Sequence, residues 1–138
     1  MAYRILIVDD ERRIADTSAL ILQGAGYQTA AAYDGGSGIA RCREFHPHLV
    51  LSDVVMPGMS GIEMAIALHR EIPQCAILLI SGQAATADMM ETARREGHSF
   101  ELLAKPVHPS TLLQRVAEIL KAADAVTPME YANPDTRK

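Results

Sequence analysis

The chain has 138 residues, 49% of them hydrophobic, which suits one domain with a full core and argues against a second. Its formal charge of -4 and pI near 5.7 argue against a nucleic-acid surface, which needs a basic stripe to neutralise phosphates. No apolar run approaches the roughly 20 residues that span a bilayer, and the N-terminus enters a strand without the basic and apolar regions of a signal peptide, so a cytoplasmic location without membrane or direct nucleic-acid contact is expected.

Arg4-Ile5-Leu6-Ile7-Val8 reads as a first strand running into Asp9-Asp10-Glu11. Residues 11–24 then carry Ile14, Ala15, Ser18, Leu20, Ile21 and Leu22 at spacings that suit a helix, stopped by Gly24 and Gly26. A second strand is predicted over 27–32. Asp34 can cap the next helix, which runs to about Phe45 and is weakened by Gly35, Gly36 and Gly38, each costing up to about 1 kcal/mol relative to Ala. His46-Pro47-His48 is read as a loop-to-strand junction, not a metal site, because no third ligand stands near it in sequence.

Leu49-Val50-Leu51-Ser52-Asp53 is an apolar run that ends on a carboxylate, and Pro57, Gly58 and Gly61 then mark a turn-forming loop. Asp53 therefore falls at the C-terminal tip of a buried strand, the edge of a parallel sheet where ligands collect. A third helix is predicted over 61–72, with Ile62, Ala65, Ile66 and Leu68 inward and Pro73 ending it. A fourth strand (75–80) leads into Ser81-Gly82, a fourth helix covers 84–97, and a fifth strand near 100–103 leads into Lys105-Pro106. The last helix starts at Pro109 or Ser110 and ends near Ala123. Strands alternating with helices through short loops imply an α/β fold with a parallel sheet covered on both faces. Residues 1–123 form the expected domain and 124–138 a tail or the start of a linker. Cys42 and Cys75 have no metal or redox spacing and are expected to be reduced and partly buried.

If the strands are parallel neighbours, Asp9, Asp10, Asp53, Ser81 and Lys105 converge on one edge. Each alone has an ordinary explanation: a turn-capping Asp, a turn Ser, a solvated Lys. In this order, with Met56-Pro57-Gly58-Met59 and Gly61 after Asp53, they resemble the receiver domain of two-component response regulators over roughly residues 4–123. The resemblance implies a flavodoxin-like doubly wound sheet in the order 2-1-3-4-5, with five helices.

It also implies a site. Two unit charges about 4 Å apart repel by roughly 4 kcal/mol at an effective dielectric near 20, so crowded carboxylates need a cation, and Mg²⁺ suits oxygen ligands and phosphoryl chemistry. By resemblance its ligands are Asp10, Asp53 and the backbone carbonyl of Val55, with Asp9 acting partly through water. Asp53 is the implied phosphoryl acceptor, Lys105 and Ser81 the groups that meet the phosphoryl oxygens, and Gly82 the residue that keeps their approach open. The Lys105–Pro106 bond is expected to be cis, aiming the Lys inward.

The implied partners are a sensor histidine kinase or phosphotransfer protein, an unnamed downstream effector, and a second copy of the chain on phosphorylation. Ile14, Ala15 and Ser18 are the candidate kinase-docking residues; their ordinary explanation is packing on the sheet, which is the preferred reading for Ile14. The implied output face comprises the fourth helix, fifth strand and fifth helix, and the chain would catalyse only its own phosphorylation and dephosphorylation. Three positions depart from the family habit. Leu102 stands where an aromatic switch residue is common, with Phe100 as a substitute or a core residue. Val55 is apolar where polar residues help water attack, and polar Gln83 has the opposite effect. Two alternatives stand beside this reading: an aspartyl-phosphate phosphohydrolase and a non-phosphorylated interaction domain.

Overall fold

The structure, a computed structural model, describes residues 2–82 and 86–126. Five strands and five helices alternate: β1 (Arg4–Val8), α1 (Arg12–Gly24), β2 (Gln28–Ala32), α2 (Gly35–Phe45), β3 (Leu49–Asp53), α3 (Gly61–Glu71), β4 (Ala76–Ser81), α4 (Thr86–Arg95), β5 (Glu101–Ala104) and α5 (Pro109–Val126). All pairings are parallel, and the sheet order is β2-β1-β3-β4-β5, as expected.

Because strand side chains alternate between faces, the sheet divides the core in two. Leu6, Val8, Val50, Ile77 and Leu79 point towards α2, α3 and α4, where Cys42, Ile62, Met64, Leu68 and Ala93 meet them. Ile5, Ile7, Leu49, Leu51 and Leu78 point the other way, towards Ala15 and Leu22 of α1 and Leu112, Val116 and Leu120 of α5. β3 is buried along its whole length, so its apolar run needs no polar face.

The local chemistry explains the helix starts. Asp34 accepts the Ser37 N–H at 2.7 Å and caps α2. At α3, Ser60 and Glu63 form a reciprocal capping box, with the Glu63 N–H donating to Ser60 Oγ at 3.1 Å and the Ser60 N–H to Glu63 Oε1 at 2.8 Å. Gly38 of α2 has a packing role: a Cβ there would meet Met64 Sδ at 2.8 Å and Val8 Cγ2 at 3.1 Å. Small size there lets α2 sit close to both the sheet and α3.

Several boundaries differ from expectation. β5 starts at Glu101, one residue later than predicted, because the ladder opens with the Leu78–Glu101 pair while Phe100 stacks on His98 beneath it. Phe100 is half-buried against the core, in line with the packing reading. α4 ends at Arg95, and Gly97 at φ 93° turns the chain so that the His98 N–H donates to the Ala93 carbonyl at 2.9 Å. The predicted start of this helix at Ala84 lies outside the described residues, as does Gln83. α5 runs to Val126, so the first residues of the expected tail are helical, and 127–138 lie outside the described residues. In α3, Met64 is fully buried while Ile66 is only half-buried.

Two features at the lower edge tie the layers together. Arg4 donates its backbone N–H to His48 Nδ1 at 3.0 Å, and its side chain reaches the carbonyls of Phe45 and His46. His69 and His98 bring their Nδ1 atoms within 2.7 Å and so link α3 to the turn after α4. Both cysteines are buried and free, with burial pushing the Cys42 thiol up to about 12 and the Cys75 thiol higher than its usual range. Among the described residues, no helix is long and apolar enough to cross a membrane.

Burial, with the nearby Arg4 charge, pushes His48 down to about 4. The native state then keeps His48 neutral while the unfolded chain takes up a proton near its ordinary pKa of about 6.5. Its contribution is complete above about pH 6.5 and is lost as pH falls towards 4, a drop of about 2 kcal/mol after allowing for solvent screening. Urea titrations between pH 7 and 4.5 should show a steeper loss for the parent than for His48→Asn; parallel curves would reject the assignment.

Candidate functional site

The site lies at the C-terminal ends of β1, β3, β4 and β5. Placing β1 beside β3 sets Val8 against Ser52, so the residues that follow each strand emerge side by side. The carboxylates of Asp9, Asp10 and Asp53 each offer an oxygen within 4.8 Å of the others. Asp9 and Asp53 are buried, whereas Asp10 is exposed.

Asp9 is fixed from two sides. Its N–H donates to the Ala32 carbonyl at 3.1 Å, and its Oδ1 accepts the Glu11 N–H at 2.9 Å. Burial raises its carboxyl above the usual range, the Glu11 bond opposes that shift, and the Asp53 charge adds to it. Such a site disfavours negative charge and attracts a cation. Three converging carboxylates form the hard oxygen donor set that Mg²⁺ prefers, so the residues present fit that ion.

Lys105 supplies the cation within the chain itself. Its Nζ lies 3.1 Å from Asp53 Oδ1, and the side chain is about one-third exposed. The Lys105–Pro106 bond is cis. The Lys105 N–H donates to the Ser81 carbonyl at 3.0 Å, which joins the tips of β4 and β5. A Cβ on Gly82 would lie 3.4 Å from Lys105 Cβ, so the open space at Gly82 borders the lysine stem.

The loop after β3 depends on one close approach. Gly61 donates its N–H to the Val54 carbonyl at 2.8 Å, and a Cβ at Gly61 would overlap the Asp53 carbonyl. Glycine there lets the start of α3 press directly on the end of β3. Val55, on the same loop, is half-exposed.

Ser81 stands at the tip of β4, beside the strand that carries Asp53, and its buried hydroxyl lies 2.6 Å from Thr86 Oγ1. The sequence reading did not single out Thr86; its only local signal is a Thr ahead of Asp88 at the opening of a helix. The docking trio separates in the fold: Ala15 is fully buried, Ser18 is half-buried, and Ile14 is 41% exposed. Ile14 and Ser18 line an open groove of about 710 Å³ between α1 and the start of α5, which reaches Asp53 and Lys105.

Comparison with known proteins agrees with this geometry. The sequence profile of the response regulator receiver domain matches residues 5–117. The chain is 32% identical over 126 residues to the DNA-binding response regulator MtrA of Mycolicibacterium paratuberculosis, an alignment that covers 90% of this chain and 54% of MtrA. It therefore spans about half the length of that relative. Protein PilH of Pseudomonas aeruginosa is 35% identical over 121 residues, covering 85% of this chain and 97% of PilH. Among solved structures, a CheY-like receiver domain protein from Methanospirillum hungatei superposes with a TM-score of 0.83 at 30% identity, covering 91% of this chain and 98% of the other. The fold order, the converging acids and these relatives lead to one conclusion: the chain belongs to the response regulator receiver domain family.

Proposed function

We propose that this receiver is switched by phosphorylation of Asp53, with a sensor histidine kinase or phosphotransfer protein in the cytoplasm as donor. The observation that carries the reading is the Lys105–Asp53 contact at 3.1 Å beside two further carboxylates. A carboxylate is a weak nucleophile, so the site must act by positioning and by neutralising charge on the transferring group.

One Asp53 oxygen forms the new P–O bond as the P–N bond of the donor's phospho-His breaks, and the bonding pair returns to the imidazole nitrogen. Lys105 Nζ, already beside Asp53, passes to a phosphoryl oxygen. Ser81 donates its proton in a hydrogen bond to a second oxygen. Asp9, Asp10, Asp53 and the backbone carbonyl of Val55 would hold Mg²⁺, which when bound supplies charge neutralisation to the phosphoryl oxygens. The product adds about -1.5 to -2 charges at a site that already disfavours anions, and this imbalance drives the rearrangement. An effector would read it on α4, β5 and α5, where Met89 and Leu102 are exposed.

Ile14 and the groove beside it support docking of the donor next to the active edge. Ile14→Glu should slow transfer from a phosphorylated kinase while leaving labelling by acetyl phosphate unchanged; equal transfer rates would remove this surface from the proposal.

Intact-protein mass after incubation with acetyl phosphate and Mg²⁺ tests the central step. The parent should gain a single base-labile phosphoryl adduct and Asp53→Asn none, and Lys105→Met should label about a hundredfold more slowly. Absence of an adduct in the parent, without continuous phosphate release, would leave a receiver scaffold that signals by binding alone. Sustained turnover of a phosphomonoester would favour the phosphohydrolase alternative.

Gly61→Ala forces the Asp53 backbone to move, so it should cost about 3 kcal/mol or more in stability and reduce labelling together. Chemical denaturation measures the first effect and the mass assay the second. Unchanged values in both would refute the close-approach argument.

A further inference from the structure

We propose, building on the receiver reading above, that Thr86 is a positioning residue that couples the Ser81 hydroxyl to α4. Ser81 Oγ and Thr86 Oγ1 lie 2.6 Å apart, and the two residues are 6% and 2% exposed. Thr86 is the first residue of α4, while Ser81 is the last residue of β4. The bond therefore joins the strand tip beside the acceptor to the helix on the output face.

Proton accounting sets its direction in the switched state. Each hydroxyl has one proton to donate and can accept as well. Once Ser81 donates to a phosphoryl oxygen, it can keep Thr86 only as an acceptor, so Thr86 donates to Ser81 Oγ and a chain runs from Thr86 through Ser81 to the phosphoryl group. Breaking the pair instead would leave a buried hydroxyl to find a new partner, a cost comparable to a lost hydrogen bond. Movement of Ser81 towards Asp53 thus draws the first turn of α4 with it.

The rest of α4 is in a position to follow. Thr86 and Ala93 are its only buried positions among the described residues, and Met90 is half-buried against the core. The opposite face carries the exposed Arg94 and Arg95 paired with half-buried Glu91, solvent-screened pairs that add little restraint. A shift at Thr86 meets few packed contacts that would hold the helix back.

Amide NMR shifts of the folded chain on addition of Mg²⁺ and beryllofluoride, a phosphoryl mimic, test the coupling. In the parent, amides around Asp53, at Ser81 and along α4 should all move. In Thr86→Val, which keeps the shape but has no hydroxyl, the Asp53 and Ser81 amides should still move and the α4 amides should not; Thr86→Ser should restore the α4 response. Affinity for the mimic should change by no more than about fivefold, the scale of one net hydrogen bond. Thr86→Ala serves if the Val variant does not fold. A full α4 response in the hydroxyl-free variant overturns the proposal, as does loss of mimic binding in that variant alone. A parent that binds the mimic without moving α4 sinks the coupling and spares the receiver reading, whereas a parent blind to the mimic sinks both.

Discussion

Crowded negative charge is the constraint on which this structure turns. Asp9, Asp10 and Asp53 would repel strongly if left alone, and the fold gathers them with Asp9 and Asp53 largely out of water. The Lys105 ammonium at 3.1 Å offsets part of that repulsion within the chain. Lys105 reaches Asp53 only because the sheet order sets β4 between β3 and β5, with the Lys105 N–H bonded to the tip of β4. The backbone thus carries the cation to the acids, and the site keeps an excess of negative charge that favours a further cation.

Supporting residues are chosen for closeness. Gly61 lets α3 touch the backbone of Asp53, and Gly38 lets α2 approach Val8, the last residue of the strand that leads to Asp9. The capping box of Ser60 and Glu63 then fixes where α3 begins. These contacts hold the edge of the sheet around Asp53, whereas α4 buries only Thr86 and Ala93 among the described residues, so rigidity is concentrated at the acidic edge and compliance at α4.

Much of this was legible in the residues, for identifiable reasons. β3 is a buried, mainly apolar run ending on Asp53, so both the strand and the place of Asp53 at its tip follow from local pattern. The acidic pair, Ser81 and Lys105 each terminate an apolar segment in the same way. The sheet order came only through family resemblance, because periodicity does not choose which strands are neighbours. The start of β5 was misplaced because Phe100 suits a strand by composition, whereas its ring packs with neighbouring His98 and, across the fold, with His69. Thr86 escaped notice for a similar reason: its partner is the last residue of β4, a pairing that no local spacing encodes. Ile14 is apolar yet exposed, since its neighbour Ala15 takes the sheet-facing place on that turn of α1 and leaves Ile14 on the wall of the groove.

The two thiols show what burial on the α2–α3–α4 side means for handling the molecule. Cys42 and Cys75 are enclosed in the same core layer and hold their protons far above neutral pH. Alkylating reagents need both access and a thiolate, so modification of either sulfur tracks opening of this layer, not surface chemistry. The native cysteines thereby act as built-in clocks for opening events, and a cysteine introduced on an exposed helix would accept a fluorophore or spin label with the wild-type pair left in place.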